Sequence, residues 1–449
     1  MQVSNSQRDR GVMVDAPTGV PEMLKFKSKR VSNAIFKKQK VKDDILANTD
    51  AGAGTVLKAR ISSQNFVDPQ SVRLCFKLST TGAPAPQPSA PVWKFNNDAG
   101  ANAIIRSLKV SSGSTQLENI QNYNLLMKIL YASSVSNDWK STLGWVEGFG
   151  TAVGTSTTDY AVNCPDYANM DTAPQFFSLP LHSGLLASNP RLVPNGILNL
   201  SLDIELAPNV EVRTSTAGTE TYKLNNIYLL YDEYVVSEAY SAIFQQALLQ
   251  GISFDYETYS NVQVALATAN QVNTITTDSQ KQLRSIFTVV RDSADQDGKN
   301  ATSLETIEGS KMVDYQYRIG SDLVPAYKVT NIQDAYNMTL DALNRANIKN
   351  DDYPLGFLKY AKGGRCFFLG VDCEKSKTSD SSYYSGIDTN ALQLQFTMNL
   401  SGTGASSGQC GSTAAANIAN GGGGFKVDHF FLHDRVLTVN ASKQIVVDF

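Results

Sequence analysis

Histidine is nearly missing from this chain of 449 residues: His182, His429 and His433 are the three present. Cysteine is almost as scarce, with five, Cys75, Cys164, Cys366, Cys373 and Cys410. An odd, sparse set without metal spacing reads as buried or incidental thiols of a reducing compartment. Charge is also low: Lys+Arg 39 against Asp+Glu 42 leaves -3, and only 18% of residues are charged, which excludes a surface that is basic all over and wraps nucleic acid. No stretch approaches the roughly eighteen apolar residues of a membrane-spanning helix. The opening MQVSNSQRDRGVMVDAPTG lacks the apolar core of a signal peptide, which argues against secretion by the usual route.

The scarce residues are also badly placed for chemistry. His429 and His433 stand four apart in DHFFLHD, which on a helix would make a metal face, but the flanking pattern is strand-like and there they would lie about 13 Å apart. His182 lies beyond a Phe-Ser-Leu-Pro strand with no obvious Cys or Ser partner, so a nucleophilic triad is not supported. The neighbouring carboxylates Asp43-Asp44, Asp232-Glu233 and Asp351-Asp352 would point to opposite faces of a strand and read as loop and edge charges. The glycine run 421–424 lacks the Lys-Ser/Thr of a phosphate-binding loop. No catalytic residue, metal or cofactor is assigned, and no enzyme is expected.

Basic residues concentrate in one place. Lys25, Lys27, Lys29, Arg30, Lys37, Lys38, Lys40 and Lys42 occur with no acidic residue between them, about a fifth of the chain's positive charge. Residues 1–50 are read as a basic N-terminal arm. The interleaved Phe26, Val31, Ile35 and Phe36 favour docking against phosphate, acidic lipid or a neighbouring subunit over a purely solvated tail.

Beyond residue 51 the dominant signal is short β runs between Gly, Ser, Asn, Thr and Pro clusters. SVRLCFKLS (71–79) alternates Val72, Leu74, Phe76 and Leu78 with Arg73, Cys75 and Lys77, the mark of a half-buried strand. Residues 196–206, 225–236, 261–269, 283–290, 391–400 and 430–439 are further candidates, and the total predicts an all-β sandwich. Helices are predicted over 117–130, 329–343 and 237–251. The last runs from an N-cap at Ser237 to Gly251, with Tyr240, Ile243, Phe244, Ala247 and Leu248 on one stripe.

The chain also repeats itself. Asn119-Ile120-Gln121 returns as Asn331-Ile332-Gln333, and Tyr123-Asn124 as Tyr336-Asn337. NLSLDIEL (199–206) is echoed by LQFTMNL (394–400), and YLLYD (228–232) by FFLHD (430–434). Three matches in the same order predict two similar β domains in tandem, 51–236 and 252–449, joined by the helix at 237–251.

The order of these pieces resembles a known family. AIIRSLKVSSGSTQLENIQNYNLLMKIL, then FFSLPLHSGLLASNPRLVPNGILNLSLDIEL, then NNIYLLYDEYVV is similar to the first half of double jelly-roll major capsid proteins of tailless icosahedral DNA viruses, the lineage of virophages, polinton-like viruses and nucleocytoplasmic large DNA viruses. The resemblance implies two eight-stranded jelly rolls, a homotrimeric pseudo-hexagonal capsomer, and a place in the virion made without secretion. It further implies neighbouring capsomers, penton and minor capsid proteins as partners, with an inner membrane or genome within reach of the arm. Loops 81–102, 134–176 and 402–424 are expected to build the outer surface. The alternative is a carbohydrate-binding or carbohydrate-acting double β-sandwich, since jelly rolls also serve lectins and hydrolases.

Overall fold

A computed structural model describes residues 35–46, 50–81, 94–96, 98–149, 175–189, 191–214, 221–266, 271–292, 304, 306–344, 354–361, 366–375, 384–401, 425–440, 442 and 444–448. The first group of strands is β1 (Ile35–Leu46), β2 (Ala51–Gly52), β3 (Val56–Arg60), β4 (Phe66–Val67), β5 (Arg73–Thr81), β6 (Lys94–Phe95), β7 (Ile105–Ser112), β8 (Thr115–Ile120), β9 (Gln175–Pro180), β10 (Val193–Pro194), β11 (Leu200–Leu206), β12 (Arg213–Thr214) and β13 (Thr221–Val236). The second is β14 (Ile252–Leu266), β15 (Gln271–Thr276), β16 (Leu283–Asp292), β17 (Met312–Ile319), β18 (Asp322–Val329), β19 (Leu369–Asp372), β20 (Leu394–Leu400), β21 (Phe425–Val439) and β22 (Ile445–Asp448). The longer helices are α1 (Tyr123–Ser134), α2 (Asn137–Thr142), α3 (Glu238–Gln250), α4 (Ile332–Ala342) and α5 (Phe357–Ala361).

All pairing is antiparallel, and the two groups are wired alike. In the first, one sheet carries β1, β13, β5 and β9 side by side and the other runs β3-β11-β7-β8. In the second, the sheets run β14-β21-β16-β19 and β15-β20-β17-β18. Counting the eight principal strands of each group in chain order gives 1-8-3-6 and 2-7-4-5 both times, the double Greek key of a jelly roll. Period-two burial explains why these sequences form strands. β11 and β20 both alternate buried and half-buried along their length, so Leu200, Leu202, Ile204 and Leu206 match Leu394, Phe396, Met398 and Leu400.

Several expectations change. The predicted helix over 117–130 is strand through Ile120. Asn122, at φ 49°, then turns the chain into α1. Its spacing of Leu117, Ile120 and Tyr123 also suits a helix, but β7 offers ladder partners that local periodicity cannot reveal. Asn119 therefore sits on a strand while Asn331 caps α4, and the residue at the matching first position of α1 is Asn122, whose side chain makes no capping bond. The predicted strand at 261–269 begins at Ile252, and residues 195–198 are a single helical turn. Within the predicted outer loop 81–102, Ala99, Ala101 and Asn102 are fully buried, followed by buried Ala103 and Ile104. Small side chains let this turn press against Glu147 and Phe149, where Gly100, at φ +57°, has no room for a Cβ. The rest of that loop through residue 93, like most of the loops 134–176 and 402–424, lies outside the described residues.

α3 begins as predicted, with Ser237 Oγ accepting from the Tyr240 amide at 3.4 Å. Its stripe is only partly covered. Leu248 is buried and Phe244 meets Phe66 at 4.9 Å between ring centroids, but Ile243 remains 63% exposed.

Candidate assembly surfaces

The basic arm is the first site to place. Lys25, Lys27, Lys29 and Arg30 lie outside the described residues, while Lys37, Lys38, Lys40 and Lys42 stand exposed on β1. β1 pairs with β13 from Ile35↔Val236 to Leu46↔Ile227, so this stretch of the expected arm is the edge strand of the first roll, and a boundary at residue 50 would cut through the sheet. Asp232 supplies the acid that makes this possible, 2.9 Å from Lys38 and 3.6 Å from Lys40. Lys42 pairs with Asp44 at 2.7 Å and lies 4.3 Å from the Tyr228 ring centroid. Hydrogen bonds to Tyr234 and then Asp232 push the Lys38 ammonium above its ordinary range.

The opposite face of β1 clamps it to the roll. Asp43 accepts from the Ser62 amide at 2.8 Å and from Tyr231 Oη at 2.7 Å, and Gln39 donates to Glu233. Asp232 and Glu233 are buried to 9% and 5% exposure, so they are internal partners of β1 rather than the loop and edge charges expected. Burial opposes ionisation of Glu233, but donors on Ser63, Asn65 and Gln39 outweigh it and hold the carboxyl below its ordinary value.

The second site is the seam between the rolls, none of whose polar contacts sequence reading found. Asn122 does not cap its own helix; its Nδ2 reaches Asn261 Oδ1 at 2.9 Å and Asp428 Oδ1 at 2.8 Å in the second roll. Asp428 is fully buried and also accepts from Gln263 at 2.9 Å and from Arg291 at 2.7 Å. Arg435 Nη1 and Tyr256 Oη both donate to the Leu117 carbonyl, at 2.7 and 3.2 Å. Lys128 buries its ammonium to donate to the Leu304 carbonyl at 3.0 Å.

Two buried carboxylates stand out, Asp98 bridging the rolls and Glu118 holding backbone inside the first. Asp98 takes Lys140 of the first roll and Lys359 of the second, each at 2.8 Å, with Cys366 Sγ at 2.7 Å. Burial alone would raise its pKa, but the two ammonium groups hold the carboxyl well below the usual range. The same burial, reinforced by Asp98, pushes the Cys366 thiol up to about 12, so it stays protonated. Glu118 accepts from the Gly184 amide at 3.1 Å and from the Leu185 amide at 2.5 Å, yet burial raises it to about 7.

The three histidines are structural. His429 bridges Thr274 Oγ1 and Thr288 Oγ1 at 2.8 Å each, and burial lowers it to about 3. His433 contacts the Phe431 carbonyl at 3.1 Å and is likewise lowered to about 3. His182 meets Tyr131 Oη at 3.1 Å and is lowered to about 4. Among the described residues, no three His, Cys, Asp or Glu side chains gather where one metal ion could be held, and no helix is long and apolar enough to cross a membrane.

The architecture that carries these surfaces has counterparts among solved structures. The capsid protein in the quasi-atomic PBCV-1 virus capsid superposes with a TM-score of 0.59 at 9% identity, covering 94% of this chain and 99% of that one. This is the double jelly-roll fold. The Sputnik virophage structure solved by cryo-EM gives 0.60 at 11% identity, covering 96% and 91%, and the mavirus major capsid protein gives 0.55 at 9%, covering 100% and 95%. No protein-family model and no curated protein matches the sequence. At such identities the likeness establishes the double jelly roll itself.

Proposed function

We propose that this protein is a viral major capsid protein that self-assembles as pseudo-hexagonal homotrimers into an icosahedral shell. The observation that carries the reading is the repeated 1-8-3-6 and 2-7-4-5 strand order within one chain, matched along nearly its whole length by capsid proteins. Two rolls per chain make six similar blocks from three copies, which tile by sixfold packing with a single gene product. The role is structural, with no catalytic or cofactor site, in the virion, made in the host cell without secretion.

On this reading the chain divides into an N-terminal basic segment, a first roll from β1 to Val236, the connecting α3, and a second roll from Ile252. Neighbouring capsomers, penton and minor capsid proteins complete the shell. The basic segment, with Lys25, Lys27, Lys29 and Arg30 ahead of β1, meets phosphate of a genome or an inner membrane, an attraction that weakens steeply with salt. The glycan-binding alternative gains no support from the neighbours found. Sedimentation and negative-stain microscopy of the purified chain test the reading: six-lobed trimers are expected, and monomers or dimers alone at micromolar concentration would overturn it.

A further inference from the structure

α3, which connects the rolls, stands almost uncovered: of its thirteen residues only Leu248 is buried. It carries a single charge, Glu238, where a helix bathed in water usually spreads several over its outer face. At about 100° per residue, Ser241, Phe244 and Leu248 form the inner side, and Ala239, Ala242, Ile243 and Leu249 crown the outer one. Ile243 is 63% and Leu249 71% exposed, and Tyr240 lies at the margin between the two sides. The apolar crown extends to exposed Ile35, which pairs with Val236 just ahead of α3.

The seat of this helix ties it to the lysines of β1. Tyr240 and Phe244 pack their rings on Phe66, at 6.2 and 4.9 Å between centroids. Phe66 pairs with Tyr234 and Tyr234 with Lys38, so the three form one row across β4, β13 and β1, and paired residues point to the same face. Val67, the neighbour of Phe66, is buried in the core, which makes the row part of the outer face. At about 4.8 Å per strand, Lys38 stands about 10 Å from the residue that seats α3. Its ammonium lies 5.2 Å from the Tyr234 centroid. Lys40, two residues on, shares that face, and the two exposed lysines divide one buried carboxylate, Asp232, which leaves positive charge outward. No acidic residue occurs from Met23 to Lys42, and Arg30, five residues ahead of Ile35, lies within about 18 Å of it by chain length alone.

We propose that the outer side of α3 and the lysines Lys38 and Lys40 form one docking surface for an acidic lipid bilayer. Ile243 and Leu249 enter the boundary between headgroups and acyl chains, and the lysines meet acidic headgroups beside them. Shape selects this occupant. A ridge of aliphatic side chains on a convex helix offers no pocket for a partner's side chain, but it sinks readily into a deformable apolar layer. Nucleic acid would satisfy the lysines and leave Ile243 and Leu249 in water. This inference rests on the phosphate contact proposed for the basic segment, and it chooses lipid over genome.

Flotation of the full chain with lipid vesicles tests it. At low salt the chain should rise with phosphatidylcholine vesicles containing about one-third phosphatidylserine and stay down with phosphatidylcholine alone. Ile243→Gln combined with Leu249→Gln, both at exposed positions, should leave the melting curve unchanged and weaken binding at least about tenfold, since apolar insertion is lost while no charge changes. Lys40→Gln, which leaves Asp232 paired with Lys38, should weaken binding about fivefold at low salt and not at high salt. Vesicle binding unmoved by the glutamine pair would overturn the inference, as would a chain that binds duplex DNA and ignores acidic vesicles. A six-lobed trimer that fails to float overturns this inference and leaves the capsid reading standing, while a chain that floats as a monomer overturns only the capsid reading.

Discussion

Gly184 of the first roll lies so close to Glu257 of the second that a Cβ on it would sit 1.6 Å from the Glu257 carbonyl oxygen. Backbone on both sides fixes this approach, so Gly184→Ala must push the rolls apart and disturb the Gly184 and Leu185 amides that Glu118 binds. Chemical denaturation should show a loss of about 2 kcal/mol or more. Gly356→Ala, where nothing lies within 4 Å, should be close to neutral.

Asp98 is the acid shared by the two rolls. Replacing it with Asn leaves Lys140, 1% exposed, beside Lys359 with no anion between them, and should cost about 3–5 kcal/mol in urea unfolding. Its carboxyl is held below the ordinary 3.8, so its contribution is full above that pH and fades as acid protonates the folded form.

Glu118 has the opposite sign. Its ordinary value of 4.5 is raised to about 7 by burial, so the folded protein holds an extra proton between those values. Its contribution is complete below about 4.5 and is lost as pH rises through about 7, roughly 3 kcal/mol over that span. Asp434, raised by burial to about 6 from 3.8, acts in the same direction. The three buried histidines, lowered from 6.5, act the other way below that pH, so the test is a difference: the melting temperature of the wild type relative to Glu118→Gln should fall from pH 5 to 8.

Truncation separates the basic segment from the roll. Removing residues 1–34 leaves β1 intact and should preserve the folded subunit, while shell assembly changes its salt dependence. Removing 1–46 strips β13 of its partner from Val236 to Ile227 and should give an insoluble or partly unfolded chain by circular dichroism.

The sequence made the β architecture legible wherever burial alternated along a strand, as in β11 and β20, because one buried face writes a period of two into the residues. It also exposed the duplication, through segments that do occupy matched strands: 199–206 with 394–400, and 228–232 with 430–434. The Asn-Ile-Gln match falls three residues out of register, since two asparagines, Asn119 and Asn122, precede α1 and the sequence does not mark which one stands at its start. The seam left no sequence signal at all. Asn122 and Asp428, or Asp98 and Lys359, are brought together only by the packing of complete rolls, and a lone Asn or Asp carries no mark of its distant partner. In sequence β1 reads as part of a basic arm because its acids, Asp232 and Glu233, come almost two hundred residues later.

Lys40 and Glu257 hold matching places on the edge strands of the two rolls with opposite charge. A ring of six identical single rolls could not do this, because any substitution on its edge strand would appear six times over. In the proposed trimer, fusing two rolls through α3 lowers the rotational symmetry from sixfold to threefold and frees each edge to evolve separately. A block of that kind would have two alternating kinds of side, so its rotational setting against a neighbour would carry information that a true hexamer cannot encode.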